Sequence, residues 1–262
     1  SGSAGDVPNW VRNNLKPDYQ QVSKETDAIL LYSDTQIDYD RGELTLKEKR
    51  LFKIVKIDGI RYAAMVLRVD EDTDVDDVEG FRLSASGELL NKWKRKDIKR
   101  TGFNENFYDD AKQVFAKFEG VEIGDYIAYE YEQEYKPFFK QRTPIFQNYI
   151  EIAHKQVTVP PGARCLLLND TNSIVQNQGN KWFVNNVPAA ADEPLDPPLL
   201  ERVPMLAITF AENDQSWETL SRDMWAKYNK VEGLSSETLA ELQGLLAITD
   251  KKEFILKTME MV

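Results

Sequence analysis

The sequence predicts a mainly β protein: a β-sandwich or distorted barrel of about ten or more strands, followed by a small C-terminal helical segment. Strand-sized apolar runs recur between turn residues through the first 212 positions. Residues 126–135 alternate with period two: Ile127, Tyr129, Tyr131 and Tyr135 share one face, and Glu130, Glu132 and Glu134 the other. The character changes at Asn213, after which apolar residues recur at helical spacing. Strands first and helices last favour segregated units over α/β winding.

Residues 1–5 are small and polar, like a tag scar or the residues after a cleaved signal, and residues 1–18 form a polar lead-in. Residues 28–32 read as a strand, with Ser33-Asp34 as a turn. Residues 36–39 and 44–58 form a hairpin around Asp40-Arg41-Gly42, with Leu44, Leu46 and Glu48 alternating with Thr45, Lys47 and Lys49. Asp58-Gly59 is a strong hairpin dipeptide leading into a strand over 61–69. Residues 70–79 read as an acidic loop, and residues 81–85 and 88–94 flank a Ser86-Gly87 hairpin turn. Ala111, Val114, Phe115 and Phe118 give residues 108–119 a weak helical pattern. Further strands fall at 126–135, 145–159, 164–169, 180–184 and 205–210. The proline-dense stretch 189–198 suits an extended linker or an edge segment. The β domain thus spans 19–212 and the helical segment 213–262.

Charge and composition narrow the function classes. The 262 residues carry 33 basic and 44 acidic side chains, a formal net charge of −11. That balance argues against nucleic acid as a partner, because phosphate neutralisation needs clustered Lys and Arg. No apolar run approaches the roughly 18 residues needed for a helix to span a membrane. A single cysteine excludes an internal disulfide framework and a thiolate zinc cluster. No phosphate-binding glycine loop, nucleophile elbow or zinc-protease motif is present, so neither a cofactor nor an enzyme activity is expected of this chain.

The chemistry-bearing residues each have a bland reading. Cys165 and His154 are the only residues of their kinds and could form a nucleophile pair, as in a cysteine hydrolase. Cys165 lies in an apolar strand context, where a thiol packs as a small hydrophobe, and a single histidine cannot build a histidine-rich metal site. Asp72, Asp74 and Asp76 have the alternate spacing of a calcium loop, but Asp77 and Leu83 stand where glycine and glutamate are required. The basic stretch around Lys92, Lys94, Arg95 and Lys96 reads as a salt-bridge partner for the acidic segment. Trp93 and Trp182 are candidate ligand-binding aromatics, as in a stand-alone carbohydrate- or peptide-binding module.

The order of several short motifs carries a family resemblance. Residues 27–32, the Lys56-Ile57-Asp58-Gly59 segment and the Ser86-Gly87-Glu88 turn come first. Then follow Val121-Glu122-Ile123-Gly124-Asp125-Tyr126-Ile127, Val157-Thr158-Val159-Pro160-Pro161-Gly162, and residues 203–210 before Trp217 and Trp225. Over about residues 19–228 the chain resembles the domain of unknown function 3857, the β-rich N-terminal domain of bacterial transglutaminase-like proteins. The resemblance implies an exported, periplasmic or cell-envelope protein. It also implies that a papain-like catalytic core with a Cys-His-Asp triad follows the β domain. Cys165 does not match that nucleophile, so no catalytic residue carries over. The implied function is that of a non-catalytic accessory domain. It would position the missing C-terminal transglutaminase-like domain or bind a polypeptide, glycan or envelope substrate.

The tail generates a prediction of its own. Trp217, Leu220, Met224, Trp225 and Tyr228 form one apolar stripe, and Leu239, Leu242, Leu245 and Leu246 another. Each buried large side chain contributes roughly 1.5–3 kcal/mol, so these stripes favour packing over exposure. Residues 216–262 are therefore expected to fold as a small helical subdomain covered by the β domain or by a second copy of the chain. Hydrogen exchange at high protein concentration checks this, and unprotected amides throughout 239–261 would refute it.

Overall fold

Residues 28–54 fold into one long hairpin, and the other strands are arranged around it. The computed structural model describes residues 7–69, 73–102, 112–135, 141–142, 144–193 and 196–210. Strands β1 (Ala28–Asp40) and β2 (Glu43–Ile54) run antiparallel, from the Ala28–Ile54 pair to the Asp40–Glu43 pair. The loop Arg41-Gly42 has positive φ at both positions, 51° and 87°. A two-residue hairpin needs that backbone to match the twist of its strands, and glycine adopts it without steric cost.

Twelve further strands follow: β3 (Ala64–Val69), β4 (Thr73–Leu83), β5 (Leu89–Lys92), β6 (Lys99–Gly102), β7 (Lys112–Lys117), β8 (Tyr126–Tyr135), β9 (Gln141–Arg142), β10 (Glu151–Thr158), β11 (Arg164–Leu168), β12 (Gln176–Gln178), β13 (Lys181–Val187) and β14 (Met205–Thr209). Eight of these fourteen described strands form an open sheet in the order β12-β13-β10-β1-β2-β8-β4-β5. Its β1–β10 pair is parallel. Two three-stranded sheets, β11-β14-β9 and β3-β7-β6, complete the fold. Among the described residues no sheet closes into a barrel, so the mainly β, sandwich-like expectation holds and the barrel does not.

Period-two alternation gives the large sheet two different faces. On one, Leu30, Phe52, Ile54, Ile127 and Tyr129 join Met65, Val114 and Ala116 of one small sheet and Leu206 and Ile208 of the other. Both small sheets therefore bury their apolar sides against the same face. On the other face, Ile29, Leu31, Leu51, Phe81 and Ala128 are covered by the N-terminal segment, where Val7 and Val11 are buried. A short helix, α1 (Asn9–Asn14), anchors this segment. The Trp10 indole N–H donates to the Glu130 carboxylate, and the Arg12 guanidinium donates to the Gly87 carbonyl at 2.6 Å. The polar lead-in is thus half of a packing layer.

Four local expectations are corrected. Ser33-Asp34 is not a turn: β1 runs straight through it, paired to β2 on one side and β10 on the other, and both residues are buried. Asp58-Gly59 lies in a 3-10 turn over Ile57–Ala63 rather than a hairpin. Gly59 is required there because a Cβ would overlap the Asp27 carbonyl, not because of its φ. The weak helical pattern near residue 115 is strand β7, whose true period is two: Val114, Ala116 and Phe118 are buried. Residues 73–79, read as acidic loop, belong to strand β4, which pairs with β8 through a bulge at Asp77–Val78, with Asp77 at φ 51°. The helical segment expected from residue 213 lies outside the described residues.

One close approach in the core yields a test. Gly80 lies against the indole of Trp93, and the Trp93 backbone N–H donates to the Gly80 carbonyl at 2.9 Å. That ring also stacks on Phe118, with centroids 4.7 Å apart. A Cβ at position 80 would overlap the indole, which is buried and already packed against Phe118 and Tyr129. Gly80→Ala is expected to destabilise the fold by about 1–3 kcal/mol, the usual cost of overpacking. Urea denaturation measures it, with the near-ultraviolet dichroism of Trp93 reporting any displacement of the ring.

A charged cleft as the candidate functional site

Where the apolar face of the large sheet runs toward the β1–β2 turn, its inward-facing residues become charged. In cross-strand register, Lys155 of β10 lies beside Ser33 of β1, then Arg50 of β2, then Tyr129 of β8. The next row is Val157, Thr35, Glu48 and Tyr131. Pleating points both rows to the same side. A cleft of about 370 Å³ opens over them, roofed by Pro144 and Ile145, with Ile37 and Leu46 as its apolar end. That volume is at the small end of ligand sites.

The charges in this cleft are held in place. Glu48 is buried, with an 8 % exposed side chain. The Thr35 hydroxyl donates to its Oε1 at 3.0 Å, while its Oε2 lies 3.7 Å from the Arg50 Nε. That separation is beyond hydrogen-bond reach, and Oε2 accepts no hydrogen bond among the described residues. Burial alone would lower the Arg50 guanidinium, but Tyr129, Tyr131 and Glu48 outweigh it and leave the group raised. Lys155 goes the other way. Desolvation is the larger cause and the Arg50 charge the second; Glu48 opposes both, and the ammonium is lowered from 10.5 to about 8. A cation tuned this way by burial and by a like charge in a cleft is a feature of functional sites.

The residues singled out from sequence lie elsewhere. Trp93 is buried in the core, stacked on Phe118 and 6.0 Å from Tyr129, so it offers no ligand surface. Trp182 is half-buried on β13 and packs against the same core. Cys165 is a half-buried strand residue on β11, not a fully buried one, and desolvation raises its thiol. His154 sits on β10 of the large sheet, stacked on Tyr32 with centroids 5.8 Å apart. Its Nδ1 is 2.7 Å from Asn185 Oδ1 and its Nε2 3.0 Å from Gln156 Oε1. Both ring nitrogens are thus engaged away from Cys165, which lies in another sheet. Among the described residues the basic stretch supplies one ion pair to the acidic strand, Lys92 to Glu79 at 3.7 Å.

Glu48, Arg50 and Lys155 were not singled out by sequence reasoning. The usable signal was Glu48, a carboxylate at an inward position of the period-two pattern between Leu46 and Phe52. Lys155 carried no such mark, because its place beside Ser33 depends on a parallel pairing between strands more than a hundred residues apart.

The family model described as a domain of unknown function with solved structure, DUF3857, matches residues 40–190. The chain belongs to the DUF3857 family. No curated protein matches this DUF3857 chain. Among solved structures, it resembles one described as a "putative protease" from Parabacteroides distasonis, with a TM-score of 0.64 and 15% identity. The alignment covers 89% of this chain and 49% of the other, so this chain spans about half the length of that protein. At this identity the likeness shows a shared fold. Among the described residues no helix is long and apolar enough to cross a membrane, which says nothing of a β-barrel.

The lowered Lys155 makes stability depend on pH. Its folded value, about 8, lies below its ordinary 10.5, so the unfolded chain binds the proton more tightly. The penalty for burying the charge is complete below pH 8 and is relieved as pH rises from about 8 toward 10.5. Lys155→Met should therefore be more stable than the parent at pH 7, by an amount that shrinks between pH 8 and 9.5. Urea midpoints across that range check it, and a pH-independent difference would contradict the assignment.

Proposed function

We propose that this chain is a non-catalytic accessory domain of a longer, exported transglutaminase-like protein, and that it holds a polypeptide substrate for a catalytic domain outside this sequence. The cleft over Glu48, Arg50 and Lys155 carries the reading: it is a charged and partly apolar recess, built on four strands, with no cysteine, serine or histidine among the described residues that line it. Sheet-borne side chains hold a fixed geometry better than loop-borne ones, which suits binding. The motif order quoted above supports the transglutaminase-like and exported parts of the proposal. So does the fold shared with a protein twice as long. The engagement of His154 by Asn185 and Gln156 weighs against the alternative of a cysteine hydrolase.

The test uses the 262-residue chain with unfolded, fluorescein-labelled casein. The expected result is saturable binding by fluorescence anisotropy, with no release of dye and no incorporation of an amine probe. Cys165→Ala should behave as the parent does. Cys165-dependent turnover, or no casein binding at millimolar protein, would overturn the proposal.

A further inference from the structure

Building on the polypeptide-binding reading, we propose that the cleft is a recognition site for a free peptide C-terminus with an apolar last residue, its carboxylate held by Lys155 and Arg50 and its terminal amide N–H by Glu48. The argument begins with charge. Two cations, Arg50 and Lys155, line the cleft with one carboxylate, Glu48, and among the described residues no other ionisable carboxyl lines it. The surplus positive charge calls for an anion. Lys155 and Arg50 flank the small residue Ser33 in one row, two strands apart. Strand spacing then separates their backbones by about 10 Å, and both side chains can converge on a group between them. Charge-assisted hydrogen bonds from a lysine and an arginine suit a carboxylate.

A carboxylate alone does not satisfy the site. Glu48 Oε2 is buried and accepts no hydrogen bond among the described residues, so it needs a donor. An ammonium group would supply one, but a zwitterion has no net charge and would leave the surplus cation unmatched. A neutral amide N–H beside the carboxylate meets both demands, and that pair of groups is the end of a polypeptide. The apolar end of the cleft then says which ends fit. Ile37, Leu46, Pro144 and Ile145 line it and would take an aliphatic terminal side chain. The small volume admits a chain end rather than a long internal segment. An anion between the two cations also offsets their mutual repulsion, the second cause of the lowered Lys155.

Calorimetric titration of the whole chain at pH 7 tests the proposal with three probes: N-acetylalanylleucine, its C-terminal carboxamide, and 4-methylpentanoate, which keeps the carboxylate and side chain but lacks the amide N–H. The acid should bind at least tenfold more tightly than the carboxamide, the scale of one charge-assisted hydrogen bond. Lys155→Met should weaken the acid by about tenfold or more, and Lys155→Arg should restore most of the loss. Glu48→Gln should weaken N-acetylalanylleucine while leaving 4-methylpentanoate unchanged or tighter, because a repelling charge is gone. A merely structural role for Glu48 would move both ligands together. Melting curves confirm that each variant is folded; should Glu48→Gln fail to fold, the acid-against-carboxamide comparison and the Lys155 pair still decide. Equal binding of acid and carboxamide, or indifference to Lys155→Met, overturns the C-terminus assignment but leaves polypeptide binding standing. No binding of either peptide or of unfolded casein overturns both.

Discussion

The central constraint is the pairing of β1 on both its edges. A strand of thirteen residues takes β2 on one side and β10 on the other, so each of its side chains is fixed to one face by two registers at once. A one-residue slip would exchange the faces, taking Leu30 out of the core shared with the two small sheets and putting Ile29 in its place. The irregularity between Leu30 and Tyr32 works within this constraint. It places Leu31 and Tyr32 against the same β2 residue, so both lie toward the face covered by the N-terminal segment. Ser33, Thr35 and Ile37 then continue the row begun by Ala28 and Leu30 on the other face. The core and the cleft are therefore one row of side chains, apolar at one end of the strand and polar at the other.

How far this was legible in the sequence depended on whether a signal was local. The Arg41-Gly42 and Ser86-Gly87 turns and the alternation of β8 were legible, because turn chemistry and period two act between neighbours. The Ser33-Asp34 pair misled because small polar residues favour turns when water surrounds them. Here the strands on both sides satisfy the backbone instead. The segment around residue 115 misled because Ala111, Val114, Phe115 and Phe118 fit a helical period. Phe115 is only partly buried, however, and the buried set is Val114, Ala116 and Phe118. Asp58-Gly59 misled for another reason: glycine serves both positive φ and close approach, and the sequence does not distinguish them. The site was the least legible part. Its three charged residues meet through the parallel β1–β10 pairing and the β1–β2 register, and neither register leaves a mark at Lys155 itself.

Placing two half-buried cations beside a buried carboxylate is not a route to stability. Desolvation of each charge is costly, and apolar residues of similar volume often serve a core as well or better. The Glu48–Arg50 pair is not in hydrogen-bonding geometry, and Lys155 is driven toward neutrality by its surroundings. The neighbouring positions show that apolar packing was open to the fold: Leu46 and Phe52 flank the charged pair on β2, and Val157 follows Lys155 on β10 at the next inward position. A core carrying this cost at one end, where a cleft gives access, is better explained by what enters the cleft than by the packing around it.

The remaining problem is how a chain of net charge −11 presents a cationic recess at all. The pleat supplies the separation. On β8, Tyr131 and Gln133 line the cleft and Tyr129 shares their side of the sheet, while Glu130, Glu132 and Glu134 face the opposite side. Asp74 and Asp76 of β4 extend those acidic rows, opposite Glu134 and Glu132. Like charges in adjacent strands repel, and Lys47 and Lys49 of β2, opposite Glu132 and Glu130, offset part of this. The Lys47–Glu132 separation is 3.5 Å, and Lys49 also lies 5.9 Å over the Trp10 ring. The acidic excess is thereby held on the far side of the sheet from Lys155 and Arg50. Surface carboxylates there are screened by solvent beyond about 8–10 Å. The charges in the recess are screened less, so they govern what binds, whatever the sign of the molecule as a whole.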